Sequence, residues 1–140
     1  MTLRSKSSMR VGALLFFFFA LLAMRFSYAE EKPALPVSIY QLMANPEKYD
    51  GKEVYVIGFM HMEFEGDVLY AHREDWVHTL IQNGVALDVP KSEYSKWIKI
   101  NNNYVVVQGF FSATERGHLS LRAGSLTKIT KLIKWQGPKR

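Results

Sequence analysis

The chain carries four histidines, His61, His72, His78 and His118, and no cysteine. Imidazole and carboxylate groups together can hold a divalent cation. His61 and Glu63 are two apart in an alternating segment, so both side chains leave the same side of a strand. His72 follows beyond the next turn and can approach the same loop. A metal-binding protein or metal-dependent enzyme built on this chain would use His61, Glu63 and His72. Shared ligation would bring all three within about 5 Å of a common point. Glu74, Asp75 and His78 have helical spacing, but no HExxH or comparable pattern supports either set. Nucleophilic catalysis finds still less, since the chain lacks cysteine, a GxSxG elbow and a glycine-rich phosphate loop. The expectation is a binding module with no intrinsic catalysis and no cofactor.

Binding groups need elements to position them. Glu53 to Phe64 alternates as a strand, with Val54, Val56, Met60, Met62 and Phe64 on one face beside Gly58. Tyr55, Ile57, Phe59, His61 and Glu63 take the other face. Gly58 predicts a bulge or bend. After the turn at Glu65-Gly66-Asp67, Val68 to Ala71 reads as the partner strand. Glu74 to Leu80 reads as a helical turn or loop. Val85 to Val89 forms a third strand stopped by Pro90, and Ser92 to Ile100 an amphipathic helix on Tyr94, Trp97 and Ile98. Tyr104 to Ala113 is a fourth strand, and Glu115-Arg116-Gly117 turns into a fifth from His118. The tail from Leu126 to Trp135 also favours strand, because Thr127, Ile129, Thr130 and Ile133 are β-branched. Ser38 caps a short N-terminal helix over Ile39, Leu42 and Met43. At an offset of 51, Val54, Val56, Gly58 and Phe59 correspond to Val105, Val107, Gly109 and Phe110. Two hairpins solving one bending problem account for that repeat.

Three strands, a helix and two strands make a mainly β chain with the element order of the five-stranded OB barrel. Such barrels bind ligands on the face of their second and third strands and on the loops joining strands one to two and four to five. Those places select Phe64, Tyr70, His72, Arg116 and His118 as ligand-binding candidates. The first loop contains Glu63, Glu65 and Asp67 and no base, which opposes a polyanion, because phosphates require lysine and arginine. Tyr70, His72, Arg73 and Trp76 could stack bases, yet small barrels more often bury aromatics. Nucleic acid is disfavoured.

The segment Gln41 to Phe59 (QLMANPEKYDGKEVYVIGF), with Phe64-Glu65-Gly66 and Tyr104 to Gly109, resembles a group of small exported bacterial OB-like proteins, lipoproteins among them. The likeness spans most of residues 38–133. Its signature is Asn45-Pro46 through Tyr49-Asp50-Gly51-Lys52 into Val54-x-Val56-x-Gly58. The resemblance implies fold and location; it carries no activity, and the lipid-bearing cysteine of the lipoprotein members is missing.

Charge supports an exported chain. The formal charge is +5, and residues 1–29 hold Arg4, Lys6, Arg10 and Arg25 without an acid. That leaves 14 bases and 13 acids in residues 30–140, a surplus of one. Val11 to Met24 runs 14 residues without a polar side chain. This is short of the roughly 20 that span a bilayer and suits a secretory h-region. Ser27-Tyr28-Ala29 then offers a cleavage site before Glu30. Residues 1–29 therefore read as a signal peptide, with an uncleaved inner-membrane signal anchor as the alternative because Arg25 intervenes. Residues 30–37 are a lead-in, 38–135 the OB-like domain and 136–140 a basic tail, and the expected compartment is the periplasm.

Within the remainder, Glu47 to Asp75 holds eight acids and three bases, whereas Arg116 to Arg140 holds seven bases and no acid. Lys128, Lys131 and Lys134 before Trp135 form a candidate basic patch. Such a patch either protects a strand edge or meets anionic lipid headgroups at the membrane surface. The expected partner is a protein or small ligand of the cell envelope.

Overall fold

The structure is a computed structural model, and it describes residues 33–64 and 66–138. The signal segment, the first part of the lead-in, Glu65 and the last two residues of the basic tail lie outside the described residues. No helix among the described residues is long and apolar enough to cross a membrane.

Strand β1 (Leu35–Pro36) leads into helix α1 (Ile39–Ala44). The Ser38 hydroxyl accepts from the Gln41 N–H at 3.2 Å while the Ser38 N–H donates to Gln41 Oε1 at 2.8 Å. This reciprocal cap satisfies two donors of the first turn. It starts the helix where Ile39 and Leu42 must turn inward, and both are buried. Asn45 ends α1, and Pro46 opens the one-turn helix α2 (Pro46–Tyr49). Pro tolerates this position because the first N–H of a helix has no partner. The Asp50 carboxylate then accepts from the Ala113 N–H at 2.8 Å, tying the turn to the far end of the sheet.

Strand β2 (Glu53–His61) is the hub. It pairs with β1 in parallel, with β3 (Val68–Tyr70) antiparallel, and with β5 (Asn103–Ser112) antiparallel over eight residue pairs from Glu53↔Phe110 to Met60↔Asn103. Helix α3 (Arg73–Val77) and a 3-10 turn at Ile81–Asn83 join β3 to β4 (Gly84–Leu87). Helix α4 (Lys91–Trp97), extended by a 3-10 turn over Ile98–Ile100, joins β4 to β5. Strand β6 (Ser125–Lys134) pairs antiparallel with β5 and in parallel with β4. The order β2-β3-β4-β6-β5 returns to β2, so five strands close a barrel and β1 adds a sixth at its margin. The chain is mainly β and has the OB arrangement expected from its element order.

The barrel interior holds Val54, Val56, Met60, Leu69, Val105, Val107, Phe111 and Leu126, with Ile39, Leu42 and Trp97 supplied by helices. Alternation in β2 follows the expected faces through Met62. Phe64 breaks the pattern: the strand ends at His61, and the Phe64 side chain is fully exposed. Phe59, on the outward face, is buried because Trp76 of α3 packs on it. Of the expected helical stripe in α4, Trp97 is buried while Tyr94 and Ile98 are exposed.

Two further expectations are corrected. The fifth strand does not start at His118. Gly117, Leu119 and Ser120 all have positive φ, which turns the chain rather than extending it, and His118–Ser120 is a 3-10 turn. The tail from Ser125 is the fifth barrel strand. Gly58 sits at no bulge, since β2 and β5 keep register through Gly58↔Val105. A Cβ there would lie 2.6 Å from Ile39 Cδ1 and 2.7 Å from the Tyr70 carbonyl oxygen, so glycine answers a close approach. The irregularity falls opposite its repeat partner. Between Gln108↔Lys131 and Phe110↔Thr127, β6 carries the extra residues, and Lys128 adopts φ 45°.

Candidate binding site

The β2–β3 loop and the β5–β6 loop meet at one end of the barrel. A Cβ on Gly66 would lie 4.0 Å from His118 Cβ, which sets the two loops side by side. Gly117 has φ +66°, and a Cβ there would stand 2.6 Å from Ala86 Cβ. The loop backbone therefore lies against strand β4, at a distance and a backbone angle that only glycine accommodates. Phe64 is 100% exposed at the tip of the first loop, and Leu119 is 73% exposed on the second. Leu121 is exposed as well. Exposed apolar side chains clustered on loops mark contact surfaces more often than scattered ones do.

The candidate residues divide between tip and face. Arg116 and His118 are exposed on the β5–β6 loop, and Arg116 Nε donates to the Ala113 carbonyl within that loop at 3.4 Å. Tyr70 is only 4% exposed. Its ring is covered by Arg122, whose guanidinium carbon lies 5.5 Å from the ring centroid. Arg122 Nη2 donates to Tyr70 Oη at 3.4 Å, and Nη1 donates to the Ile81 carbonyl. The face that OB barrels use for ligands is thus occupied by the chain's own loop. His72 is exposed but stands apart from the tip, with its ring 6.1 Å from that of Tyr40 on α1.

Of the three residues of the alternative metal reading, His61 and Glu63 stay together and His72 does not join them. His61 Nε2 lies 3.6 Å from Glu63 Oε2, and Nδ1 is 2.7 Å from Asn102 Oδ1. The His61 ring stacks on Trp76 with centroids 4.5 Å apart. His72 lies at Tyr40 instead, and no group of three His, Cys, Asp or Glu among the described residues is placed to hold a metal ion. Trp76 also stacks on Phe59 at 5.8 Å, while Tyr104 meets Phe59 edge-on at 5.6 Å. These rings make a satellite core outside the barrel rather than a free stacking platform.

Lys128, Lys131 and Lys134 are all exposed. Lys128 Nζ lies 5.8 Å from the Phe110 ring centroid, Lys131 pairs opposite Gln108, and Lys134 opposite Val105. Alternation along β6 puts Lys131 and Lys134 on opposite faces of the strand, so the three do not form one row.

Among the described residues, Asp67, at the base of the first loop, is the titratable group that the fold clearly perturbs. Burial raises its carboxyl above the usual value of 3.8; a backbone hydrogen bond at Glu63 and the His61 charge oppose the rise, and the Glu63 charge adds to it. Among the described residues its Oδ1 has no hydrogen-bond partner.

Two open clefts lie elsewhere, one of about 300 Å³ beside β1 and one of about 440 Å³ between α4 and β6. Neither is lined by any of the five candidates.

Arg122, Leu119 and Leu121 were not legible as site residues. The pairing of Arg122 with Tyr70 crosses 52 residues of chain. The two leucines did leave a signal, as isolated apolar residues in a Gly- and Ser-bearing turn segment. No protein-family model matches the chain, and no curated protein matches it either.

Proposed function

We propose that this chain is an exported, periplasmic interaction module whose partner is a protein or small ligand of the cell envelope. Its docking surface is the tip where the β2–β3 and β5–β6 loops meet, continued over the Tyr70 face. The observation that carries this reading is the juxtaposition of those loops, with Phe64 fully exposed and Leu119 nearly so beside Arg116 and His118. A folded chain holds large apolar groups in water at such a tip when a partner covers them. Export is supported by the cationic leader, the apolar run and the small residues before Glu30. The likeness to small exported bacterial OB-like proteins points the same way.

The test is affinity capture from envelope extract by the protein and by a Phe64→Ala/Leu119→Ser variant. Both side chains are exposed, so the substitutions leave the core intact. The variant is expected to lose a partner that the unaltered protein retains, with an unchanged circular dichroism spectrum. Equal retention by the two proteins would rule the tip out.

A further inference from the structure

Arg122 makes contacts that a ligand would make. It lies over the Tyr70 ring, donates to Tyr70 Oη and donates to the Ile81 carbonyl. An aromatic face attracts a cation, and two acceptors beside it suit the planar fork of a guanidinium better than the point charge of an ammonium. We propose that this face is a guanidinium-recognition site, occupied in this conformation by the chain's own Arg122, and that an arginine side chain of a partner polypeptide takes Arg122's place. The proposal rests on the docking surface proposed above and names the chemistry of its ligand.

Three observations support exchange. First, the receiving groups are held without Arg122. Tyr70 is paired in register with Phe59 on one side and Gly84 on the other. The Ile81–Asn83 turn is fastened by Asn83 Nδ2 donating to Asp75 Oδ1 at 2.8 Å and by the Ala71 N–H donating to the Asn83 carbonyl at 3.1 Å. Asp75 itself is buried and accepts a second bond, from the His72 N–H at 2.8 Å. The site therefore persists when Arg122 leaves.

Second, the segment that delivers Arg122 is weakly tied. Its internal backbone bonds are long, with the Arg122 N–H donating to the Arg116 carbonyl at 3.4 Å and the Ser120 N–H to the Gly117 carbonyl at 3.2 Å. Leu119 and Ser120 hold positive φ without being glycine, a conformation that side-chain-bearing residues adopt only under strain. Leu119 and Leu121 give the loop no apolar anchor, being exposed.

Third, among the described residues no carboxylate pairs with Arg122; its acceptors are neutral oxygens. Displacing it breaks no ion pair.

The probe is methylguanidinium, with methylammonium as control, titrated into the full-length chain and its Arg122→Ala variant while the Tyr70 ring signals are followed by NMR. The variant is expected to bind methylguanidinium saturably with a shift of the Tyr70 ring. The unaltered chain should bind about tenfold or more weakly, because its own Arg122 competes. Methylammonium should bind neither. Absence of saturable binding to a folded variant, or equal binding by both chains, overturns the proposal. If Arg122→Ala does not fold, Arg122→Lys replaces it. Lysine holds the site less well than arginine, so methylguanidinium should displace it at lower concentration than it needs against Arg122; equal concentrations overturn the proposal. Failure here with capture still dependent on Phe64 removes the guanidinium site and leaves the loop tip standing. The reverse pattern removes the tip alone.

Discussion

At the scale of the residue, Asp67 gives a pH dependence whose sign follows from burial. Its carboxyl is raised above 3.8 because the folded state penalises the charge. The native state then binds more protons than the unfolded chain between the ordinary and the raised value. Stability from this group therefore falls as pH rises through that window. Asp67→Asn removes the penalty. Thermal unfolding of the variant is expected at a higher temperature than the unaltered chain at neutral pH, with the two converging under acid conditions where Asp67 is protonated. A second prediction concerns Gly58. Its Cβ would meet a backbone oxygen at 2.7 Å as well as the Ile39 and Leu69 side chains. Gly58→Ala should cost about 1–3 kcal/mol by urea denaturation, whereas Gly66→Ala, whose Cβ would meet nothing closer than His118 Cβ at 4.0 Å, meets no such obstruction. Both glycines of the internal repeat stood out in the sequence, but only as a sign of bending. A Cβ on either would press on a neighbouring backbone, but only Gly109 faces the bulge; that depends on residues from elements elsewhere in the chain, and no local pattern carries it.

At the scale of the element, one carboxylate ties both ends of α3. The Asp75 carboxylate accepts from the His72 N–H at the start of the helix and from Asn83 Nδ2 beyond its end. Asp75→Ala leaves both donors without their partner and is expected to cost about 1–3 kcal/mol. Urea denaturation measures the loss, and faster amide exchange from His72 to Asn83 would locate it. The segment read ambiguously because five residues are too few for a periodic stripe, and Trp76, its apolar contribution, packs on outward-facing Phe59 rather than on the main core. The long strands were legible for the opposite reason. Val54, Val56 and Met60 repeat at two-residue spacing over nearly the whole of β2, and their burial follows that spacing. The final strand was legible by composition, while the start assigned to the fifth strand at His118 failed. Positive φ at Leu119 and Ser120 is a property of the folded loop that neither residue type announces.

At the scale of the molecule, the barrel has a strong wall and a short seam. Strands β2 and β5 share eight residue pairs, whereas β4 and β6 close the circuit with Ala86↔Ser125 and Leu87↔Leu126 alone. Amides of Ala86 and Asp88, which donate across the seam to Gly124 and Leu126, are expected to exchange faster than those at the centre of β2, such as Val56. Equal protection would mean that the barrel opens as one unit. The order of elements was readable because most neighbours in the barrel are neighbours in sequence. The parallel seam was not, since it joins strands separated by α4 and all of β5. The same separation hid the candidate site, whose two loops belong to opposite halves of the chain.

Strand β1 has a mechanical consequence. It is held to the rest by Leu35↔Val54, Pro36↔Tyr55 and the Val37 N–H on the Tyr55 carbonyl, and the barrel is closed without it. Tension applied to the chain upstream of Pro33 loads those few contacts before any of the eight β2–β5 pairs. Under such a load the strand is expected to peel away first, while the five-stranded wall behind it stays shut.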